Sequence, residues 1–256
     1  MYDSHSLFFH LLTICQHEHV AFCTYENGQM GVLKLVPQTS HEVEILNLLS
    51  NIKDRDSPIL SGLQVTHISS APLYSLIVMP RGVEISDTDD FLPLATQLVS
   101  GIMFLHAHNV IHLDIKRHNL LMLSGKLCII DYLISEVVEP GTLLYGFRGT
   151  PGCVAPEVEM GGSFDPFLAD VWACGNMLID LFCEYHQDSR VPNLSAVVSF
   201  IQYMVTESPH RRAPLAAILT AVETARRCGL PNLNARKQKY AHFPSSFPRS
   251  SVIMAQ

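Results

Sequence analysis

The stretch Ile111-His112-Leu113-Asp114-Ile115-Lys116-Arg117-His118-Asn119 sets an acid, a lysine and an amide close together, and the apolar run Leu120 to Leu123 follows directly. Twelve residues beyond Asn119, Asp131 ends the hydrophobic segment Leu127-Cys128-Ile129-Ile130. Both acids therefore stand at turns beside buried strands. Taken alone, His112-x-Asp114 also reads as a polar turn between a helix and a hairpin. Taken together, the four side chains supply what phosphoryl transfer needs: Asp114 to receive a hydroxyl proton, Lys116 to neutralise a γ-phosphate, and Asn119 with Asp131 to hold Mg²⁺.

Three more segments follow in order. They are Gly149-Thr150-Pro151-Gly152-Cys153-Val154-Ala155-Pro156-Glu157, Asp170-Val171-Trp172-Ala173-Cys174-Gly175 and Pro209-His210-Arg211-Arg212. With the first stretch they resemble the catalytic loop, Ala-Pro-Glu motif, Asp-x-Trp-x-x-Gly helix start and Pro-x-x-Arg of eukaryotic-type protein kinases. The His-Leu-Asp sequence is also similar to that of herpesvirus-type kinases. The resemblance implies an α+β, protein-kinase-like two-lobed fold, with a small antiparallel β N-lobe and a larger helical C-lobe. It places the kinase domain at residues 1–230, with the N-lobe over about 1–80, a hinge at 80–82, the C-lobe over 83–230 and a tail at 231–256. It implies ATP and Mg²⁺ as cofactors, a protein substrate as partner, and transfer to serine or threonine. A pseudokinase acting as a scaffold or allosteric protein is the alternative.

Composition is compatible with this. At 256 residues, 48% hydrophobic and 16% charged, the chain can bury a large core. A formal charge of −7 without a dense Lys/Arg run argues against nucleic acid as partner. Seven cysteines, an odd number lacking a Cys-x-x-Cys pair, read as reduced thiols of an intracellular protein. No apolar run reaches the ~18–20 residues of a bilayer span, so no membrane is expected as partner. The oligomeric state is left open. The pairs His17 with His19 and His106 with His108 lack further ligands for a metal.

Ahead of the catalytic stretch, residues Leu7 to Val36 alternate loosely around a turn at Glu26-Asn27-Gly28-Gln29, which predicts three antiparallel strands. Gly31-Val32-Leu33-Lys34-Leu35 resembles the family's Val-Ala-x-Lys strand, which puts Val32 beneath the adenine and Lys34 on the α/β-phosphates. The turn expected at Thr13 to His19, where the family carries Gly-x-Gly-x-x-Gly, contains no glycine. A Cβ at each position there hinders backbone approach to phosphates, and Glu18 repels them. Ser40 predicts the cap of a helix whose Val43, Ile45, Leu46 and Leu49 share one face. The family register assigns Glu42 as the partner of Lys34, with Glu44 as fallback.

Pro72 to Met79 reads as an apolar strand ending at Pro80-Arg81-Gly82. The resemblance makes Met79 the side chain that gates the pocket and adds Leu121 to the nucleotide-binding set. Proline has no N–H, so Gly82 must supply the hinge donor. Leu94, Leu98, Ile102 and Leu105 predict a buried helix running to His108, and helices are expected over Trp172 to Phe182, Leu194 to Val205 and Pro214 to Arg226. After Asp131, Tyr132-Leu133 replaces the family's Phe-Gly, which makes inversion of that turn costly. Ser135, Thr142 and Tyr145 are possible phosphoacceptors in the loop that follows. Leu113 stands where many relatives carry the arginine that grips such a phosphate, so the loop is expected to be ordered without one. Finally, Thr150 should bridge Asp114 and Lys116, Glu157 should pair with Arg212, and Asp170 should accept backbone N–H groups of the catalytic loop. His118, beside Arg117, offers a substrate arginine no charge complement.

Overall fold

In the computed structural model, the described residues are 9–14, 19–25, 27–52, 54, 57–59, 63–86, 90–185 and 194–228. Strands β1 (Phe9–Ile14), β2 (Val20–Tyr25) and β3 (Met30–Pro37) form consecutive antiparallel hairpins, the second closed by a turn through Gly28. Helix α1 (His41–Ser50) follows, and the Ser40 hydroxyl accepts the Val43 N–H at its start. Its buried face carries Glu42, Val43, Ile45, Leu46 and Leu49, while Glu44 is exposed. Strands β4 (Gln64–His67) and β5 (Tyr74–Pro80) complete a five-stranded sheet in the order β1-β2-β3-β5-β4. The glycine-free turn at Gln16, His17 and Glu18, and the tail from 231 onward, lie outside the described residues.

Strand β5 differs from the sequence expectation at both ends. Pro72 and Leu73 form a turn in which the Tyr74 N–H donates to the Ala71 carbonyl. Pro80 remains in the strand opposite Gly31, so the strand ends one residue later than expected.

After Gly82, β6 (Val83–Glu84) pairs with β8 (Leu120–Leu123), which pairs with β9 (Lys126–Ile129). Between them run α2 (Phe91–Ala107) and β7 (Val110–Ile111). The segment after Asp131 is tied down twice: β10 (Glu136–Val137) pairs with β7, and β11 (Leu144–Tyr145) pairs with β12 (Ser163–Phe164), on either side of the short α3 (Pro156–Glu159). Helices α4 (Pro166–Tyr185), α5 (Leu194–Met204) and α6 (Leu215–Cys228) close the C-lobe.

Helix α4 starts six residues before the expected Trp172 because Asp165 caps it, its carboxylate accepting the amides of Phe167 at 2.9 Å and Leu168 at 3.3 Å. By length and composition Pro166–Cys183 could cross a bilayer, contrary to the sequence expectation, yet 61% of it is buried inside the fold. It packs against α2 and α5 as the central helix of the lobe. One core runs from Val36, Leu46 and Leu49 in the N-lobe through Tyr132 to Leu98, Ile102 and Leu178 in the C-lobe. This continuity holds the sheet over the catalytic loop.

Candidate active site

Two turns present the polar side chains. Leu113 (φ 64°) and Asp131 (φ 67°) occupy the left-handed region, which for such side chains costs about 1–2 kcal/mol each. Hydrogen bonds compensate at the first turn: the buried Asp170 carboxylate accepts the His112 N–H at 2.7 Å and the Leu113 N–H at 2.8 Å, and its Oδ2 lies 3.1 Å from His106 Nε2. His112 locks the turn from within. Its Nδ1 accepts the Asp114 N–H at 3.2 Å, so the ring proton sits on Nε2, which faces the Ile130 carbonyl at 3.2 Å. Full burial lowers the imidazole pKa and keeps the ring neutral, although Asp170 opposes this. The Ile130 N–H in turn donates to the Asn119 carbonyl at 2.9 Å, which joins the two turns.

Asp114 is surrounded by donors. Lys116 Nζ reaches Oδ2 at 2.8 Å, Asn119 Nδ2 reaches the same oxygen at 3.0 Å, and the Thr150 hydroxyl donates to Oδ1 at 2.6 Å. Lys116 also donates to Thr150 Oγ1 at 2.7 Å. Burial alone would raise the Asp114 pKa, but the bonds from Lys116, Thr150 and Asn119 outweigh it and hold the carboxylate ionised. Gly149 makes this contact possible. Its φ is 114°, and a Cβ there would lie 2.4 Å from Val154 and 2.7 Å from the Leu113 carbonyl oxygen.

Asp131 faces Lys34 instead, with Nζ 2.8 Å from its Oδ1 and the Glu42 carboxylate oxygens 2.8 and 3.0 Å from the same nitrogen. Burial pulls the lysine pKa down, yet Glu42 and Asp131 together hold it above the ordinary value. Burial also raises the Glu42 pKa, and Lys34 offsets only part of that. The structure thus brings Lys34, Glu42 and Asp131 together, and separately Asp114, Lys116, Asn119 and Thr150. Val32 lies opposite Met79 across β3 and β5, and Gly82 presses on Leu121, where a Cβ would come within 2.9 Å of the leucine Cβ.

The donor set suits magnesium. Asn119 spends its Nδ2 on Asp114, leaving Oδ1, and Asp131 leaves a carboxylate oxygen beyond the one on Lys34. Such hard oxygen donors fit Mg²⁺, which is commonly held by one or two side chains with substrate phosphates.

Burial and pairing in the loop add features that the sequence did not reveal. Ser135 is not an available phosphoacceptor: it is fully buried, and its hydroxyl donates to the His112 carbonyl at 3.0 Å. A serine in a polar loop carries no sequence signal of such burial. Thr142 and Tyr145 are exposed. Leu113 packs in a buried cluster with Ile111, Val154, Val158 and Phe164, and an ion pair between Arg148 and Glu136 links the two ends of the loop. Arg117 is anchored to the Ile85 carbonyl at 2.9 Å. The expected Glu157 and Arg212 pair is bidentate at 2.6 and 2.7 Å and joins α3 to the far end of the lobe.

The fold is thus a five-stranded sheet lobe joined to a helical lobe, with an acid–lysine–threonine cluster at one turn and a lysine bound by Glu42 and Asp131 at the other. Residues 38–193, more than half of the chain, match the protein kinase domain model, and the chain belongs to that family. Among curated relatives, it is 32% identical to serine/threonine-protein kinase 17A of Oryctolagus cuniculus over 53% of this chain and 36% of that protein. It is 27% identical to CBL-interacting protein kinase 3 of Oryza sativa subsp. japonica over 73% of this chain and 44% of the relative. It is also 27% identical to the probable serine/threonine-protein kinase MARK-C of Dictyostelium discoideum, over 66% and 23% respectively. The match therefore spans less than half the length of these relatives. The family match begins after Lys34 and ends before Arg212, so the placement of those two residues rests on the ion pairs described above.

Proposed function

We propose that this protein transfers the γ-phosphate of ATP to serine or threonine hydroxyls of protein substrates. The observation that supports this best is the connected network from Glu42 through Lys34 to Asp131, and from that turn through Asn119 to Asp114, Lys116 and Thr150. Asp114, kept ionised by its donors, orients an incoming hydroxyl and takes its proton as the oxygen bonds to phosphorus and the β-phosphate leaves. Lys116 brings positive charge to the transferring group while Thr150 fixes both side chains. Lys34 takes the α/β-phosphates, and Glu42 keeps its ammonium in place. Asn119 and Asp131 would hold Mg²⁺, which when bound would offset phosphate charge.

Val32, Met79 and Leu121 wall the base. The Arg81 N–H is engaged by the Met30 carbonyl at 3.0 Å, and Pro80 has none, which leaves Gly82 as the hinge donor. Thr150 leaves a shallow site that favours short hydroxyl side chains over tyrosine. With Arg117 held on Ile85 and His118 exposed, we expect no strong preference for arginine just before the acceptor; a peptide-array profile dominated by arginine there would count against this. Cys23, Cys128 and Cys174 are buried thiols, in keeping with an intracellular protein.

The glycine-free turn favours a second reading, a nucleotide-binding scaffold without useful transfer. A phosphotransfer assay with labelled ATP, with Asp131→Ala as control, separates them when paired with a thermal shift in Mg·ATP. Transfer abolished by Asp131→Ala supports the kinase. A thermal shift without transfer supports the scaffold.

A further inference from the structure

The strand register assigns a face of the sheet that no motif identifies. Phe22 on β2 stands opposite Val32, and Val20 stands opposite Lys34; on the other side of β3, Val32 faces Met79. Directly paired residues project to the same side of a sheet. The Lys34 ammonium binds Asp131 of the other lobe, so this side is the roof of the cleft. Phe22, Val32 and Met79 are all only partly buried, as side chains facing a cleft should be. Their neighbours Cys23, Leu33 and Val78 are buried in a cluster on the opposite face.

At the outer end of this roof, the Arg81 guanidinium carbon lies 4.8 Å from the centre of the Phe22 ring. A cation over an aromatic face at that distance is attractive. The Arg81 backbone is fixed as well, its N–H donating to the Met30 carbonyl at 3.0 Å. The hinge is thus fastened to the sheet by main chain and side chain of one residue, next to Gly82.

We infer that Phe22 closes the outer end of the nucleotide-base cleft and that Arg81 is the positioning residue that holds it there. The inference rests on the proposed nucleotide site and adds two residues to it. Its physical motive is the segment Thr13 to His19, which has no glycine to bring amides close to phosphates. Affinity then depends more on the base end of the ligand, where an aromatic wall offers stacking and Arg81 removes the cost of ordering that wall on binding.

The test uses the full chain and Mg·ATP, with affinity read by displacement of a fluorescent ATP analogue and KM and kcat read from phosphotransfer. Arg81→Ala should weaken affinity by about three- to tenfold. It should raise KM in proportion and leave kcat within about twofold. Arg81→Lys keeps a cation over the ring and should recover most of the loss. In a double-mutant cycle, Phe22→Leu with Arg81→Ala should be no weaker than the worse single variant, because both remove one interaction. Melting without nucleotide checks that every variant is folded.

Unchanged affinity in folded Arg81→Ala, or losses that add in the double variant, overturns the inference while leaving the kinase reading intact. A wild-type chain that fails to bind Mg·ATP overturns both. Binding without transfer removes only the kinetic readout, and affinity then decides.

Discussion

Asp114 and Asp131 are the same residue type in the same cleft, yet they are held in different ways. Asp114 has donors on both oxygens, from Lys116, Asn119 and Thr150, and its side chain is 11% exposed. Among the described residues Asp131 has one strong partner, Lys34, which it shares with Glu42, and its side chain is 36% exposed. A carboxylate held by three donors is suited to keeping one geometry while leaving an acceptor site on Oδ1 open for a hydroxyl proton. One held by a single shared ammonium can exchange partners when phosphates and Mg²⁺ arrive at modest cost. In the proposed mechanism the first acid serves orientation and the second ligand capture.

The sharpest way to break this contrast is Asp114→Asn. Turnover should fall on the order of 10²- to 10⁴-fold while Mg·ATP affinity stays within about threefold. Asp131→Ala should lose both turnover and affinity. Steady-state kinetics beside ligand titration decides, and wild-type turnover in both variants would mean that neither acid takes part.

A smaller effect is expected from Thr150→Val, which removes one of the donors that lower the Asp114 pKa. Losing a hydrogen bond to a charged group is worth about 1.5–3 kcal/mol, so turnover should fall about 10- to 100-fold. The sign of the pH effect follows. With fewer donors the Asp114 pKa rises, the ionised form is lost at higher pH, and the acidic limb of the pH–rate profile moves upward. A profile that stays in place would show that Thr150 does not tune the base.

Tyr132 sharpens the comparison from beneath the Asp131 turn. Its ring packs edge-on to His112 with centres 5.1 Å apart, but its buried hydroxyl has no hydrogen-bond partner among the described residues. Tyr132→Phe should therefore stabilise the fold by about 1 kcal/mol in urea denaturation. Clear destabilisation would mean that the hydroxyl does have a partner.

The smallest change is expected in the loop. Thr142→Ala with Tyr145→Phe should alter activity by about twofold at most, because Leu113 sits in an apolar cluster and the Glu136–Arg148 pair already joins the loop ends. A hundredfold loss in the folded double variant would show that a phosphate is read there after all. Ser135 is left out of this test because its hydroxyl is part of the buried framework.

The fold was legible where local rules suffice. Ser40 before a helical apolar pattern gave α1, and the acid after Leu127 to Ile130 marked the second turn. Helix α4 was placed six residues late because its cap, Asp165, precedes a proline and two apolar residues that carry no helical period of their own. Ser135 and Leu113 were harder. A loop serine and a loop leucine reveal their burial only when β10 has paired with β7 and α3 has packed against them.

The sequence by itself determined the chemical inventory: Lys34, Glu42, Asp114, Lys116, Asn119 and Asp131, and the order in which they occur, because side-chain type and spacing along a chain are covalent facts. Which oxygen meets which nitrogen was decided by the tertiary structure alone. Lys34 and Asp131 are 97 residues apart, and Asp114 and Thr150 are 36 apart. Contacts at such separations require the loop-closure entropy to be overcome by burial elsewhere, and here the core running from Leu46 through Tyr132 to Leu98 does so. The same packing turned Leu113 into core and Ser135 into a bracket for the catalytic loop, roles that depend on neighbours from other parts of the chain.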